Sequence, residues 1–577
     1  MILKHLRPQE WDMIAVAFVL VVFNVYLELE IPGYMSSITM IISTGGTVDQ
    51  VMNEGSGMLL CALGSLITSI VVGAIAAYVA TSLSKRLRRM EFEKVQSFSS
   101  KEMNEFSTPS LVTRSTNDIT QVQFAVAMGM QVLMKAPIMA VYAITKILDK
   151  SWEWTAVTAA SVVVIMAAIG LIMLYVIPRF KRIQWLTDDV NRVTRENITG
   201  IRVVRAYNAE KYQEDKSDAA NRDLTDTNLS ATRAMSTMMP VMSTILNILS
   251  LAIYWIGALL IDAASSPVDK LVLFSDMIVF SQYAMQVIMS FIMLVVIFMI
   301  IPRATVAAKR IEEVIGTEPS ITDGKGAEPS EKGTVSFSNV SFRYPGSGED
   351  AISGVTFDVK SGETVAFIGS TGSGKTTLVD LIPRFNDVSG GSVKVDGVDV
   401  RDYELGNLRK RIGYVSQKAF MFAGTVESNV NYGDTSDMRT GEDVGRALEI
   451  AQANGFVDDT GMSVSQGGSN FSGGQKQRLS IARAVCRDPE IYIFDDSFSA
   501  LDYRTDRTLR SNLKREIEGA TILIVAQRIG TIMDADRIIV LDEGRVVGNG
   551  THRELLRDCE VYREIARSQL SEEELGL

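Results

Sequence analysis

Apolar residues crowd the first three hundred positions in runs far longer than a soluble strand or helix requires, and then the runs stop. Six stand out, from Trp11 to Pro32, Met58 to Ala80, Phe124 to Leu148, Trp154 to Pro178, Ala234 to Ala263, and Leu271 to Pro302. A hydrocarbon core of about 30 Å takes about 20 helical residues to cross, so each run predicts a membrane-spanning helix. The polar segments between them, such as SKRLRRMEFEKVQ and DDVNRVTRENITGIRVVRAYNAEKYQED, are rich in helix formers. They predict that the membrane helices continue well beyond the bilayer. The turning points near PSLVTRSTNDIT and ITGIRVVRAY suit either contact with the soluble part of the chain or solvent.

Beyond Pro302 the pattern changes. GTEPSITDGKGAEPSEKG is polar and rich in Gly, Pro and charge, which is linker chemistry. After it, short β-rich runs (TVSFSNVSFRY, TVAFIG, RIGYVSQ, IYIFDD, TILIVAQ) alternate with helical stretches, the pattern of a mixed α/β sheet. The predicted organisation is a transmembrane domain over 1–315, a linker over 316–334 and a soluble domain over 335–577.

Charge orients the first half. The loop Thr81 to Gln123 carries seven Lys or Arg and Arg179 to Arg233 carries eleven, whereas Tyr34 to Gly57 carries none. By the positive-inside rule the long basic loops are cytoplasmic, and six spans then put both termini in the cytosol. The first span has no small-residue cleavage site and is too long for a secretory signal, so it is read as retained. A net charge of -11 gives no support for a nucleic-acid surface. The three cysteines, Cys61, Cys486 and Cys559, are scattered without metal-ligand spacing, and are read as reduced packing thiols. Ionisable residues in or near the spans are costly and often functional. Among Lys135, Glu28, Glu30 and Asp276, the acids near span ends are read as snorkelling to the interface and Lys135 as the functional candidate. Met285, Met289 and Met293 share a helical face in the sixth span, and Met235, Met238, Met239 and Met242 cluster in the fifth. Such adaptable side chains suit either varied apolar ligands or ordinary packing.

The soluble half carries the chemistry. GSTGSGKTT, Gly369 to Thr377, follows the strand TVAFI and precedes LVDLI, so G-x-x-x-x-G-K-[ST] stands in its strand, loop and helix setting. Gly369, Ser370, Thr371, Gly372, Ser373 and Gly374 let the backbone wrap a phosphate chain. Lys375 reaches the outer phosphates, and Thr376, beside Thr377, holds Mg²⁺. In IYIFDDSFSALD, four large apolar residues run into two carboxylates: Asp495 at the strand end suits Mg²⁺, and Asp496 stands where a base orients the attacking water. NFSGGQKQRLSIARA then opens a second phosphate-binding helix at Ser472, Gly473 and Gly474, which suggests that two chains share sites.

This ordered set, with six spans ahead of it, resembles the ATP-binding cassette family, and the whole chain resembles an exporter half-transporter: a membrane α-helical domain of six transmembrane helices with long cytoplasmic extensions, fused to an α/β P-loop ATPase domain. The resemblance implies ATP and Mg²⁺ as cofactors. It implies that Tyr344 stacks on adenine, that Gln417 touches Mg²⁺ or water, that Ser472, Gly473, Gly474 and Gln475 close over a partner's ATP, and that Asp502 lies in a loop crossing the dimer interface. Two positions depart from the family pattern, which has Glu where Asp496 stands and His where Gln527 stands. The only histidines are His5 and His552. Shortening Glu to Asp retracts the carboxylate by about a bond, and a 1 Å displacement costs about 100-fold in rate. Gln527 hydrogen-bonds but carries no proton. An intact signature beside a weakened pair resembles the degenerate-site subunit of a heterodimeric multidrug-type exporter in a cell membrane, the bacterial cytoplasmic membrane. It would move amphipathic or hydrophobic compounds across the lipid bilayer with a second half-transporter as partner. A homodimer with two slow sites and a nucleotide-gated channel or regulatory subunit satisfy the same residues.

Overall fold

The structure, a computed structural model, describes residues 2–148, 150–433 and 439–571. Chain contacts divide it into two compact units, one of residues 1–94 and 109–316, the other of residues 95–108 and 317–577.

The first unit is helical. Its principal helices are α1 (Pro8–Ser43), α2 (Val48–Gln96), α3 (Thr108–Leu148), α4 (Trp152–Thr199), α5 (Glu210–Ala263, with a break at Thr237) and α6 (Pro267–Gly316), and each contains a window long and apolar enough to cross a membrane. At 1.5 Å per residue the 49 residues of α2 extend over ~70 Å, more than twice a hydrocarbon core, so the helices do run far past the apolar spans. Three of the predicted apolar runs end at prolines, Pro32, Pro178 and Pro302, that lie inside continuing helices. Proline removes one backbone donor but does not unwind a helix whose packing holds it on both sides. Within α3 the helix widens to π turns at Arg114–Asp118 and Gly129–Leu133.

Packing in this unit is uneven, with large apolar side chains such as Leu60, Leu171, Leu174 and Trp255 well exposed, as lipid-facing positions require. The buried seam gathers Val25, Leu29, Met139, Trp154, Phe280 and Tyr283. The polar tips of its aromatics are satisfied by backbone: Trp154 Nε1 donates to the Ile253 carbonyl at 3.1 Å and Tyr283 Oη to the Leu29 carbonyl at 3.0 Å. The acidic residues expected to snorkel are paired instead. Lys135 Nζ meets Glu28 Oε1 at 2.7 Å, Lys146 meets Glu30 at 2.9 Å and Lys150 meets Asp276 at 2.5 Å. Each acid is only about a quarter exposed, and a carboxylate taken partly out of water is better held by a neighbouring ammonium than by reaching for the interface. The methionines divide: Met238 and Met242 pack in the seam, while Met239, Met285 and Met289 are exposed.

The second unit is an α/β domain. A six-stranded sheet runs in the order β10 (Arg545–Gly550), β9 (Arg537–Asp542), β3 (Thr364–Gly369), β8 (Thr521–Val525), β7 (Ile491–Asp495) and β6 (Ile412–Val415), parallel apart from β10. A second sheet pairs β2 (Ile352–Val359), β1 (Val335–Phe342), β4 (Gly390–Val395) and β5 (Val398–Asp399) antiparallel. Strand β7 is buried at every position, which explains its unbroken apolar run. Phe337, Phe357 and Phe367 stack between the sheets, with ring centroids 4.6 and 5.6 Å apart. The polar segment 317–334 has no regular structure, yet it is not a free tether. Ile321 is buried, Gly324 donates to the Tyr403 carbonyl at 2.8 Å, and a side chain at Gly324 would collide with the backbone of Arg401 and Asp402. The short helix Ser100–Phe106 joins the same unit, where Glu102 accepts from the Ser320 amide at 3.2 Å.

Candidate functional site

The carboxyl ends of β3, β6, β7 and β8 lie side by side in the parallel sheet, and the chain leaving each carries one part of the site. After β3 the loop turns through Gly372 and Gly374, both left-handed at φ 85° and 93°, and enters the helix Lys375–Asp380. Only glycine fits at Gly374, where a Cβ would lie 2.7 Å from the Ala351 carbonyl, and a Cβ at Gly369 would collide with the Leu541 carbonyl. Ser370, Thr371 and Gly372 are exposed on the turn, and the Ser373 amide closes it on the Ser370 carbonyl at 3.2 Å. Lys375 Nζ lies inside the loop, donating to the Gly369 and Ser370 carbonyls at 2.9 and 2.7 Å and reaching Ser373 Oγ at 3.3 Å. Burial pulls its pKa below the ordinary lysine range, while the Asp496 and Asp495 charges oppose that shift. This is a cradle shaped for an anion, with a cation at its floor, and its residues fit the phosphates of a nucleotide.

The magnesium side fits as well. Thr376 Oγ1 donates to Asp495 Oδ1 at 2.9 Å. Asp495 is 1% exposed, and burial first, then repulsion from Asp380 and Asp496, pushes its pKa up to about 6 against the Thr376 hydrogen bond and Lys375. A carboxylate under that strain is stabilised by a metal cation. Asp496 follows in the left-handed region at φ 46°, with its amide bonded to the Val525 carbonyl at 3.0 Å. Two neutral amides converge on the same oxygen: Gln527 Nε2 donates to Asp496 Oδ2 at 2.9 Å and Gln417 Nε2 at 3.2 Å. Tyr344 joins from β1, its hydroxyl 3.0 Å from Thr377 Oγ1 and its ring edge-on to Phe342, with much of the ring exposed.

A second group stands apart from these bonds. Ser472 caps the helix Gly473–Cys486, accepting from the Gln475 amide at 3.3 Å while Gln475 Oε1 accepts from the Ser472 amide at 2.8 Å. Ser472 and Gly473 are exposed, and Gly474 packs where a Cβ would come 3.1 Å from the Ala500 carbonyl. Asp502, also exposed, caps the helix Tyr503–Glu516 through the Thr505 amide at 3.0 Å, and that bond holds its pKa below the usual carboxylate range. Gln477 joins the two groups: its Nε2 donates to the Ser416 carbonyl at 3.2 Å, one residue before Gln417.

The histidines are engaged elsewhere, His5 with Glu312 and His552 with Tyr562, so neither substitutes at position 527. The three cysteines are unpaired. Residues not anticipated from the sequence include Tyr414, which donates to Asp380 at 2.8 Å behind the loop, and Gln569, which bonds the backbone beside Gln527. No motif marks them, since each acts through a partner brought close only by the fold.

Two family models match the chain, one described as the ABC transporter transmembrane region over residues 14–291 and one as ABC transporter over residues 352–499. Uncharacterized ABC transporter ATP-binding proteins of Mycobacterium bovis and Mycobacterium tuberculosis are 38% identical over 98% of this chain and 97% of theirs. An ATP-dependent lipid A-core flippase of Vibrio vulnificus is 30% identical over 88% of this chain and 86% of its own. A solved structure of a bacterial Atm1-family ABC exporter with ATP bound superposes with a TM-score of 0.79 at 22% identity, covering 97% of this chain and 98% of that one.

Proposed function

The chain belongs to the ABC transporter family, as an ATP-hydrolysing, multi-pass membrane protein with an exporter fold, and from that membership we propose that it is the slow-site subunit of a two-subunit exporter. Its own P-loop binds Mg-ATP and retains it, and its signature residues Ser472 to Gln475 complete the hydrolytic site of a second, different half-transporter. When bound, ATP supplies the phosphoryl transfer to water that drives alternation between inward-open and outward-open states.

The observation that carries this reading is the pair of amides on Asp496 Oδ2. The side chain at the water-activating position is one methylene shorter than Glu, and the group beside it neither accepts a proton nor bears charge. Lys375, Thr376 and Asp495 remain in place to hold the nucleotide, Tyr344 offers a ring to adenine, and Asp502 faces the partner. The cargo is an amphipathic lipid-like compound, a reading supported by the flippase relatives and by the exposed methionines of α6. The basic loops support an orientation with both termini on the cytoplasmic side, and the bacterial relatives support the bacterial cytoplasmic membrane.

The test is hydrolysis by the full-length chain alone in lipid nanodiscs. Tight binding of radiolabelled ATP with turnover at least about 100-fold below that of the chain combined with its partner is expected. Rapid turnover by the lone chain overturns the proposal.

A further inference from the structure

Gln569 lies just past the last helix, Glu560–Arg567, and its side-chain amide does what a strand neighbour would do. Nε2 donates to the Gln527 carbonyl at 2.7 Å, and Oε1 accepts from the Ile529 amide at 2.8 Å. The two bonds straddle Arg528 and fix the backbone where the chain leaves β8. On the inner side of that backbone, the Ala526 amide is bonded to the Phe367 carbonyl at 3.1 Å. The Gln527 side chain is therefore aimed at Asp496 from a segment pinned on two sides, by the sheet at residue 526 and by Gln569 at residues 527 and 529.

Gln569 is itself held firmly. Its amide bonds to the Ala566 carbonyl at 3.1 Å, and Ala566 and Tyr562 are fully buried in the same core as Ile529 and Ile532. His552 adds a 2.7 Å bond to the Tyr562 hydroxyl. Yet Gln569 and Gln527 are both solvent-exposed, so the two bonds are the removable part of an otherwise buried assembly. A hydrogen bond in water is weak enough to be exchanged, and one that fixes a loop is therefore a place where its position is set.

We propose that Gln569 is a positioning residue for this chain's nucleotide site: it places Gln527, and through Gln527 the Asp496 carboxylate and the outer phosphate of bound ATP. This rests on the reading of Gln527 and Asp496 as parts of that site. The C-terminal helix thereby sets how long nucleotide is retained, although it contributes no atom to the cradle.

The experiment is a double-mutant cycle in the full-length protein in nanodiscs, read as the dissociation rate of preloaded Mg-ATP, with thermal unfolding as the check on folding. Gln569→Ala should speed release about 10-fold, the effect of losing two neutral hydrogen bonds. Gln569→Glu, which keeps the acceptor for Ile529 but sets a carboxylate against the Gln527 carbonyl, should do the same without loss of volume. In a Gln527→Ala background either change should add less than about twofold, because contacts in series do not add. If Gln527→Ala speeds release and the Gln569 changes do not, or if the effects add, the positioning role is overturned and the site reading stands. If Gln527→Ala itself leaves release unchanged, both are overturned.

Discussion

The ATPase unit holds two sets of nucleotide-directed residues, and they are finished differently. Around the P-loop the principal side chains already have partners within the chain: Lys375 is folded onto loop carbonyls, Thr376 onto Asp495, and both glutamines onto Asp496. At the signature helix, Ser472 and Gly473 are capped but turned outward, with Asp502 exposed nearby. On the proposed reading, a helix start left exposed in this way closes over another chain's ligand. Integrity of motif and use by the same chain are separate matters: the set carrying Asp496 and Gln527 is bonded within the chain, and the signature set is left exposed.

The contrast is broken most severely at the signature set. Ser472→Arg or Gly473→Asp should lower hydrolysis by the two-subunit complex at least about 100-fold while leaving ATP binding at this chain's own P-loop intact. Steady-state ATPase together with photocrosslinking of labelled ATP to each subunit reads both. A complex that keeps its activity would show the two sites to be assigned the wrong way round.

A smaller effect sharpens it from the P-loop side. Asp496→Glu with Gln527→His should raise hydrolysis about 10- to 100-fold, because it restores a full-length carboxylate and a proton-bearing partner. Either change alone should do much less, as members of one catalytic unit are non-additive. Measurement in a complex whose partner subunit has its own catalytic Glu replaced by Gln isolates this site. An unchanged rate, opposite an ordinary signature in the partner, would acquit both residues.

The smallest expected effect is on stability. Asp495 is the acid of the P-loop set that burial strains, and its pKa of about 6 lies above the ordinary carboxyl value. The folded state therefore binds the extra proton between about pH 4 and 6, and the nucleotide-free protein loses stability as pH rises through that window. Asp495→Asn should reduce the slope and stabilise the empty ATPase unit by about 1–3 kcal/mol at neutral pH, while abolishing the further stabilisation by Mg-ATP. Thermal unfolding at pH 5 and pH 7.5 decides it, and a variant less stable than the parent at both values would overturn this assignment.

Much of this architecture was legible before any coordinates. Apolar run length gave the six spans, and strand-loop-helix context gave the P-loop, because both signals are local. The apolar runs that end at Pro32, Pro178 and Pro302 do not mark helix ends, because a proline's effect depends on what packs around it. Composition marks the linker but not its contacts, and Gly324 there lets the backbone lie against Arg401 and Asp402. The ion pairs were beyond reach for a similar reason. Glu28 and Lys135 stand 107 positions apart, and only the crossing of α1 and α3 makes them neighbours. Gln569 and Gln527 are 42 positions apart, and no spacing rule links a C-terminal amide to a backbone carbonyl on another element.

The bond from Gln477 to the Ser416 carbonyl has a consequence of its own. It couples the signature helix to the residue preceding Gln417, which touches this chain's Asp496. On the proposed pairing, two sites joined by such a strut do not fill as independent events: occupancy of one shifts the affinity of the other, and by linkage the influence runs equally both ways. On the same proposal, a nucleotide retained on the slow side acts less as fuel than as a standing effector, setting the concentration of ATP at which the fast side begins to work.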